Sequence, residues 1–257
     1  MKRLGRIGVV AAFAFGGWTA GAAATAAPAF ACPISPGTNT CVPDPLTVSP
    51  TATLVQGTGG TITTCPATPC FVADWVENIY RDPATNALGC TNCLTWVVQV
   101  TNRPPGPNQP AVDLISRVTI GNFSGFLTDM GVETNTPPPG SPPFTSGTNA
   151  PNNVERSASG GVLAWDFNCI AGNPGCTTTN EIGPGQTSVL LEVETNAQQV
   201  VPGNISIQNE TAGTQPALGP AVPEALWVPA LGLFGGALAG GYVIRRRRAS
   251  SKDLATG

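Results

Sequence analysis

The chain has 257 residues, a formal net charge of −3 and no histidine, which excludes Ser-His-Asp and Cys-His nucleophiles and every His-ligated metal site. Its lysines stand only at positions 2 and 252, so lysine bases and Schiff bases are excluded from everything between. Between residues 32 and 220 four arginines, Arg81, Arg103, Arg117 and Arg156, face thirteen carboxylates, a balance that repels phosphate backbones and argues against nucleic acid as a partner.

At the N-terminus Lys2, Arg3 and Arg6 precede an apolar run at 7–15, and a small-residue stretch ends in Ala29-Phe30-Ala31. This is the pattern of a secretory signal over residues 1–31, cleaved after Ala31 with Ala29 as the other small residue of the site. A lipid-modified Cys32 would want a preceding leucine and a small residue in place of Phe30, so ordinary cleavage is expected. Export makes the export machinery the first partner. It also gives the cysteines a meaning.

All eight, Cys32, Cys41, Cys65, Cys70, Cys90, Cys93, Cys169 and Cys176, follow the signal. An even count outside the cytosol reads as disulfides. About 105 full pairings are open, but the cysteines fall into neighbours, and local bridges are the economical choice: Cys32 with Cys41, Cys65 with Cys70, Cys90 with Cys93, Cys169 with Cys176. By constraining the unfolded chain, bridges over such short loops contribute roughly 2 to 3 kcal/mol each. Cys90-Thr91-Asn92-Cys93 has the spacing of a redox pair, but a strand pattern follows it instead of the helix that such chemistry needs. A four-cysteine zinc site would want a second pair as close, and no loop has the alternating acidic spacing of a dedicated calcium site, so neither a metal nor a cofactor is expected.

Residues 32–212 read as one all-β ectodomain. Strand patterns run over 46–55, 61–64, 94–101, 117–120, 163–167, 188–194 and 204–207, between turn-forming glycines, prolines and asparagines. Alternation places Leu94, Trp96, Val98 and Val100 on one face, and Leu163, Trp165 and Phe167 on another. Seven or more short strands predict a two-sheet antiparallel sandwich. The proline-rich stretch 136–153 is expected to be an exposed loop or a disordered excursion, and 213–224 a semi-extended linker carrying the motif Val222-Pro223-Glu224. Asn122, Asn204 and Asn209 head formal glycosylation triplets and are read as accidental.

The uncharged stretch 225–244, at about 1.5 Å per residue, is roughly 30 Å long as a helix and can span a bilayer. Trp227 and Tyr242 suit the two headgroup levels, and Arg245, Arg246, Arg247 and Arg248 form a cytoplasmic stop that opens a basic tail over 245–257. The membrane is therefore a partner, with the ectodomain outside. Gly232, Gly236 and Gly240 form a small-residue stripe, read as a feature of a glycine-rich helix rather than a dimer seam.

Several tracts carry a family resemblance. Tyr80-Arg81-Asp82-Pro83, Cys90-Thr91-Asn92-Cys93-Leu94, Val98-Gln99-Val100-Thr101-Asn102 and Ile115-Ser116-Arg117-Val118-Thr119, running to Phe123, Phe126, Asp129 and Gly131, are followed by Arg156-Ser157-Ala158-Ser159-Gly160 and Ile182-Gly183-Pro184-Gly185-Gln186-Thr187-Ser188. Together they resemble ectodomains of the bacterial PEP-CTERM family of exported, sorted envelope proteins. In the tail, Glu224 is followed by Ala225 where that family has a second proline, while the order of motif, apolar helix and arginines is kept. The resemblance implies an exosortase-like processing enzyme as a partner, and a chain either anchored in the envelope or released after processing.

For chemistry, only carboxylates remain. Asp74 with Glu77, Glu192 with Glu194, and Asp166 are the candidates for a glycosidase pair. Glu192 and Glu194 lie two apart on a strand, opposite Val189, Leu191 and Val193, and are expected on a solvated outer face. Trp75 and Tyr80 would serve a sugar-binding face if exposed, with an envelope polysaccharide as ligand, whereas Trp96 and Trp165 belong to the core alternation. The leading expectation is a cell-surface or extracellular-matrix protein without catalytic activity. A carbohydrate-binding module or adhesin is the alternative, and a carboxylate-based glycosidase a second.

Overall fold

The computed structural model describes residues 34–38, 41–65, 70–106, 113–169 and 179–221. Strands β1 (Asp44–Leu46), β2 (Thr53–Thr63), β3 (Val72–Arg81), β4 (Leu94–Asn102), β5 (Arg117–Gly121), β6 (Thr128–Glu133), β7 (Asn153–Arg156), β8 (Val162–Asp166), β9 (Leu191–Thr195), β10 (Val200–Gln208) and β11 (Ala212–Pro220) follow one another without a helix among the described residues. They form a six-stranded sheet, β1-β6-β9-β4-β3-β2, and a five-stranded one, β11-β10-β5-β8-β7. The all-β, two-sheet reading holds, with one departure: β1 pairs with β6 in parallel, while every other ladder is antiparallel.

Period-two alternation builds the core. Leu94, Trp96, Val98 and Val100 of β4 and Ala73, Trp75 and Ile79 of β3 join Val118 and Ile120 of β5, Leu163 and Trp165 of β8, and Ile205 and Ile207 of β10 in one buried cluster. Trp96 meets Phe123 edge to face at 5.5 Å between ring centroids. The Trp165 indole N–H donates to the Gly131 carbonyl at 3.2 Å, tying the five-stranded sheet to β6. Gly131 is also where β1 comes closest, since an added Cβ would collide with the Asp44 carbonyl oxygen. Gly131→Ala should therefore cost about 1–3 kcal/mol in a denaturant melt by forcing the parallel β1 away from β6; an unchanged midpoint would show that β1 yields freely.

Three boundaries differ from expectation. The patterns at 46–55 and 61–64 resolve into a short β1 and an 11-residue β2, which runs through Gly57, Gly59 and Gly60 with a register shift between Leu54 and Gln56. Gly57 is needed there because the proline-rich segment lies against the strand, and a Cβ on it would collide with the Ser141 carbonyl. The second difference is that segment itself. It is neither free nor an excursion: the Tyr80 hydroxyl donates to Pro138 O and the Asn78 amide to Pro142 O, both at 2.8 Å, and Gln99 exchanges hydrogen bonds with the Thr145 backbone. Phe144 packs with Leu190 against Val48, Ala52, Tyr80 and Val97 in a second apolar cluster.

The third is the expected linker from 213. Residues Ala212–Pro220 form β11, paired with β10 over nine positions at the sheet edge, where Pro216 and Pro220 cost no ladder hydrogen bond on the open side. The β-domain thus runs to at least Ala221, which is itself buried. The predicted signal at 1–31, Val222, Pro223, Glu224, the apolar stretch 225–244, the four arginines 245–248 and the tail to 257 lie outside the described residues. Among the described residues no helix is long and apolar enough to cross a membrane.

Candidate functional site

The sequence-predicted carboxylates are not brought together as pairs in a cleft. Asp74 and Glu77, three apart on β3, point to opposite sides of the sheet. Asp74 takes Arg103 Nε at 2.5 Å and Nη2 at 2.6 Å, whereas Glu77 is buried and accepts the Leu218 amide at 2.9 Å from the facing sheet. Burial pushes the Glu77 carboxyl up to about 8, against the smaller pull of the Leu218 amide. Asp166 pairs with Arg117 at 2.8 Å, and Arg117 also meets Glu155. Burial still outweighs the arginine and lifts Asp166 to about 6.

Glu192 and Glu194 do share the outer face of the six-stranded sheet, but that face is not solvated. Glu192 is 0 % exposed and Glu194 7 %. The reason is long-range: the segment after β1, the turns between β3 and β4, and the proline-rich segment fold over this face. Val48 N donates to Glu133, Ser49 N and Ala84 N to Asp82, and Ala87 N to Glu194, at 2.7 to 2.8 Å.

Register then assembles a cluster. On β6, Asp129, Gly131 and Glu133 point outward at alternate positions, and Asp129 stands opposite Glu194 while Gly131 stands opposite Glu192. The glycine leaves Glu192 no side chain across from it and so brings it towards Glu133, within hydrogen-bonding reach. Two carboxyls make that bond only when one holds a proton. Asp82 adds a carboxyl from the end of β3, and Asp44 one from β1. Burial, then Glu133, Glu194 and Asp82, hold Glu192 well above the usual carboxylate range. Glu194 is pushed to about 7 by burial and by Asp129, Asp82 and Glu133, opposed by the Ala87 amide. Asp129 reaches about 6 through burial and Asp44, opposed by the Met130 amide. The three ion pairs found among the described residues all lie elsewhere, on Asp74, Glu155 and Asp166. The oxygens of Glu192 and Asp129 are buried, with no arginine beside them in the ion pairs of the described residues.

Sequence reasoning found Glu192 and Glu194 but missed Asp44, Asp82, Asp129 and Glu133 as their neighbours. The usable signal was Asp129-x-Gly131-x-Glu133 and Glu192-x-Glu194, two strands carrying acids on one face.

The aromatic candidates are core residues. Trp75 is 3 % exposed and Tyr80 0 %, and Trp96 and Trp165 are buried as expected. A groove of about 490 Å³ beside the proline-rich segment is lined by Pro137, Pro138, Pro139, Phe144 and Leu190 among others, and by no carboxylate. Cys65–Cys70 closes the β2–β3 connection and Cys90–Cys93 the turn into β4, with Cα separations of 5.0 and 5.8 Å. Cys41 and Cys169 are disulfide-bonded too; the expected bridges to Cys32 and Cys176 involve cysteines outside the described residues. No protein-family model, curated protein or solved structure matches this chain.

Proposed function

We propose that this chain is an exported, C-terminally sorted protein of the bacterial cell surface or extracellular matrix, of the PEP-CTERM kind, acting without catalysis. In this reading a β-sandwich ectodomain is followed by one transmembrane helix at 225–244 and a cytoplasmic basic stop, and an exosortase-like enzyme processes the tail. The observation that carries it is the oxidised cysteine set: Cys65–Cys70 and Cys90–Cys93 are bridged, and Cys41 and Cys169 are disulfide-bonded. Such bridges persist outside the cytosol, in agreement with the signal-like N-terminus.

Two further observations support a non-catalytic role. Of the carboxylates that could serve a glycosidase, Glu77, Asp166, Glu192 and Glu194 are buried and Asp74 is paired with Arg103, and the aromatics that could stack on a sugar are in the core. Fractionation of cells making the chain with and without residues 225–257 tests the anchoring. The full chain is expected in the envelope and the truncated one in the soluble exported fraction; equal retention of both would overturn the assignment.

A further inference from the structure

Glu133 and Glu192 share a hydrogen bond across the β6–β9 ladder, and their surroundings decide which of them holds its proton. Glu133 Oε2 accepts the Val48 amide and Oε1 the Asn135 amide, each at 2.7 Å. Two amide donors favour the charged form, so the charge of the pair lies on Glu133. Glu192 is 0 % exposed, no backbone amide or basic side chain reaches its oxygens, and the Glu133 carboxylate is its partner, so the proton is on Glu192. Burial keeps it there, helped by Glu133, by Glu194 on the same strand and by Asp82 at the end of β3. The remaining titratable groups of this face, Asp129 on β6, Asp44 on β1 and Tyr80 on β3, are acidic as well, and the outward residues of β4, Thr95, Val97 and Gln99, are uncharged. Arg81, next to Asp82 in sequence, donates instead to the Asn92 and Gln198 carbonyls.

Glu133 ties two parts of the cover to β6. Val48, with Ala52, packs the segment after β1 against Tyr80, Val97, Phe144 and Leu190, and Asn135 heads the proline-rich segment. We propose that the Glu133–Glu192 pair is a proton-operated latch: with its proton it fastens the segment 47–52 to the six-stranded sheet, and without it that segment lifts while the sandwich beneath stays folded. When Glu192 gives its proton to hydroxide, the hydrogen bond becomes a contact between two carboxylates, with no basic side chain beside them among the described residues. The latch is therefore closed at low pH and opens as the pH rises. β9 lies inside the sheet between β6 and β4, so Glu192 stays in place. The segment 47–52 is the side that yields: besides the Val48 amide it is held by the Ser49 amide on Asp82, another acid of the same face, and by the two small apolar side chains of Val48 and Ala52. The proline-rich segment stays down, because its anchors on Asn78, Tyr80 and Gln99 carry no charge between pH 6 and 9; burial and Glu133 push the Tyr80 hydroxyl up to about 12. Opening bares the apolar surface of Tyr80, Val97 and Leu190 beneath Val48. Nothing in the latch requires the signal or the membrane helix, so it is independent of the export reading.

The test is hydrogen exchange of the oxidised full chain, read by mass spectrometry between pH 6 and 9 and corrected for the intrinsic dependence of exchange on pH. Expected is a loss of protection at the Val48 and Ala52 amides of about tenfold per pH unit, the slope for one proton, with unchanged protection in β4 and β9 and at the Thr145 amide on Gln99. Glu192→Gln donates an N–H to Glu133 and has no proton to lose, so protection at Val48 and Ala52 should stay high and flat. If Glu192→Gln does not fold, Glu133→Gln replaces it: one carboxylate of the pair is then gone, and the pH dependence at Ala52 should vanish. Asp74→Asn, on the same sheet but paired with Arg103, should behave as the unaltered chain. Protection at Val48 and Ala52 that is constant over the range, that falls together with β4 and β9, or that falls equally in the Glu-to-Gln variant would overturn the latch.

Discussion

The melting temperature of the protein is expected to fall as the pH is raised from 5 to 9, against the usual direction for a globular domain. Glu77 sits at about 8, Glu194 at about 7, Asp129 and Asp166 at about 6, and Glu192 well above the normal range. Each value is raised, so the folded state holds protons that the unfolded chain has already released. The resulting stability is complete below the ordinary carboxyl range and is lost as the pH climbs through the folded-state values. At ~1.4 kcal/mol per pH unit for each proton held, two such groups titrating between pH 6 and 8 remove on the order of 3–5 kcal/mol, or about 10 °C. Asp74 runs the other way, held below its usual value by Arg103 and Thr61 although burial pushes it up, but the pair is half exposed and weighs little. Glu77→Gln keeps an acceptor for the Leu218 amide and should flatten the upper part of the curve. A melting temperature flat or rising over this range would show that the buried acids are not held neutral.

The second large effect is at Arg156. It is buried with no carboxylate partner, and its guanidinium donates five hydrogen bonds: to Gly160 O at 2.9 Å, Ile34 O at 2.8 Å, Thr128 Oγ1 at 3.0 Å, Phe123 O at 2.9 Å and Phe126 O at 2.8 Å. One side chain therefore ties the first described segment, the β5–β6 loop, the start of β6 and the β7–β8 turn. Burial lowers its pKa, but the surrounding carbonyl dipoles take the place of a counter-ion. Arg156→Met strands four backbone carbonyls and should cost about 3–5 kcal/mol. Arg156→Lys should recover less than half, because an ammonium has three donors and cannot reproduce the planar fork. Urea unfolding midpoints for both variants check this; a loss under about 1 kcal/mol for the Met variant would show that water replaces the arginine.

Strands whose two faces differ were legible from the sequence. In β4 and β8 the alternation of Trp96, Val98 and Val100, and of Leu163 and Trp165, determines which side is buried, and the sheets obey it. What escaped was anything decided by distant segments. Glu192 and Glu194 are on the side that alternation assigns them, but whether that side meets water depends on loops more than forty residues away in sequence, such as the one that brings Val48 to Glu133. Composition misleads at β11 because glycine, alanine and proline suit a spacer and an edge strand alike; only the nine-position ladder with β10 separates them. The proline-rich segment reads as an excursion for the same reason. Its anchors, Asn78, Tyr80 and Gln99, are on β3 and β4, and the glycines that let it approach are on β2.

Outside the cytosol a protein can keep its disulfides. One of the covering loops carries such a bridge, Cys90–Cys93 in the turn between β3 and β4.

The most direct test of the exported, oxidised ectodomain is the intact mass of the chain recovered from the cell envelope, alkylated with and without prior reduction. The account predicts a chain beginning at Cys32, no alkylation before reduction, and eight alkyl groups after it. A chain retaining residues 1–31, recovered from the cytosol with eight thiols alkylated directly, would contradict it.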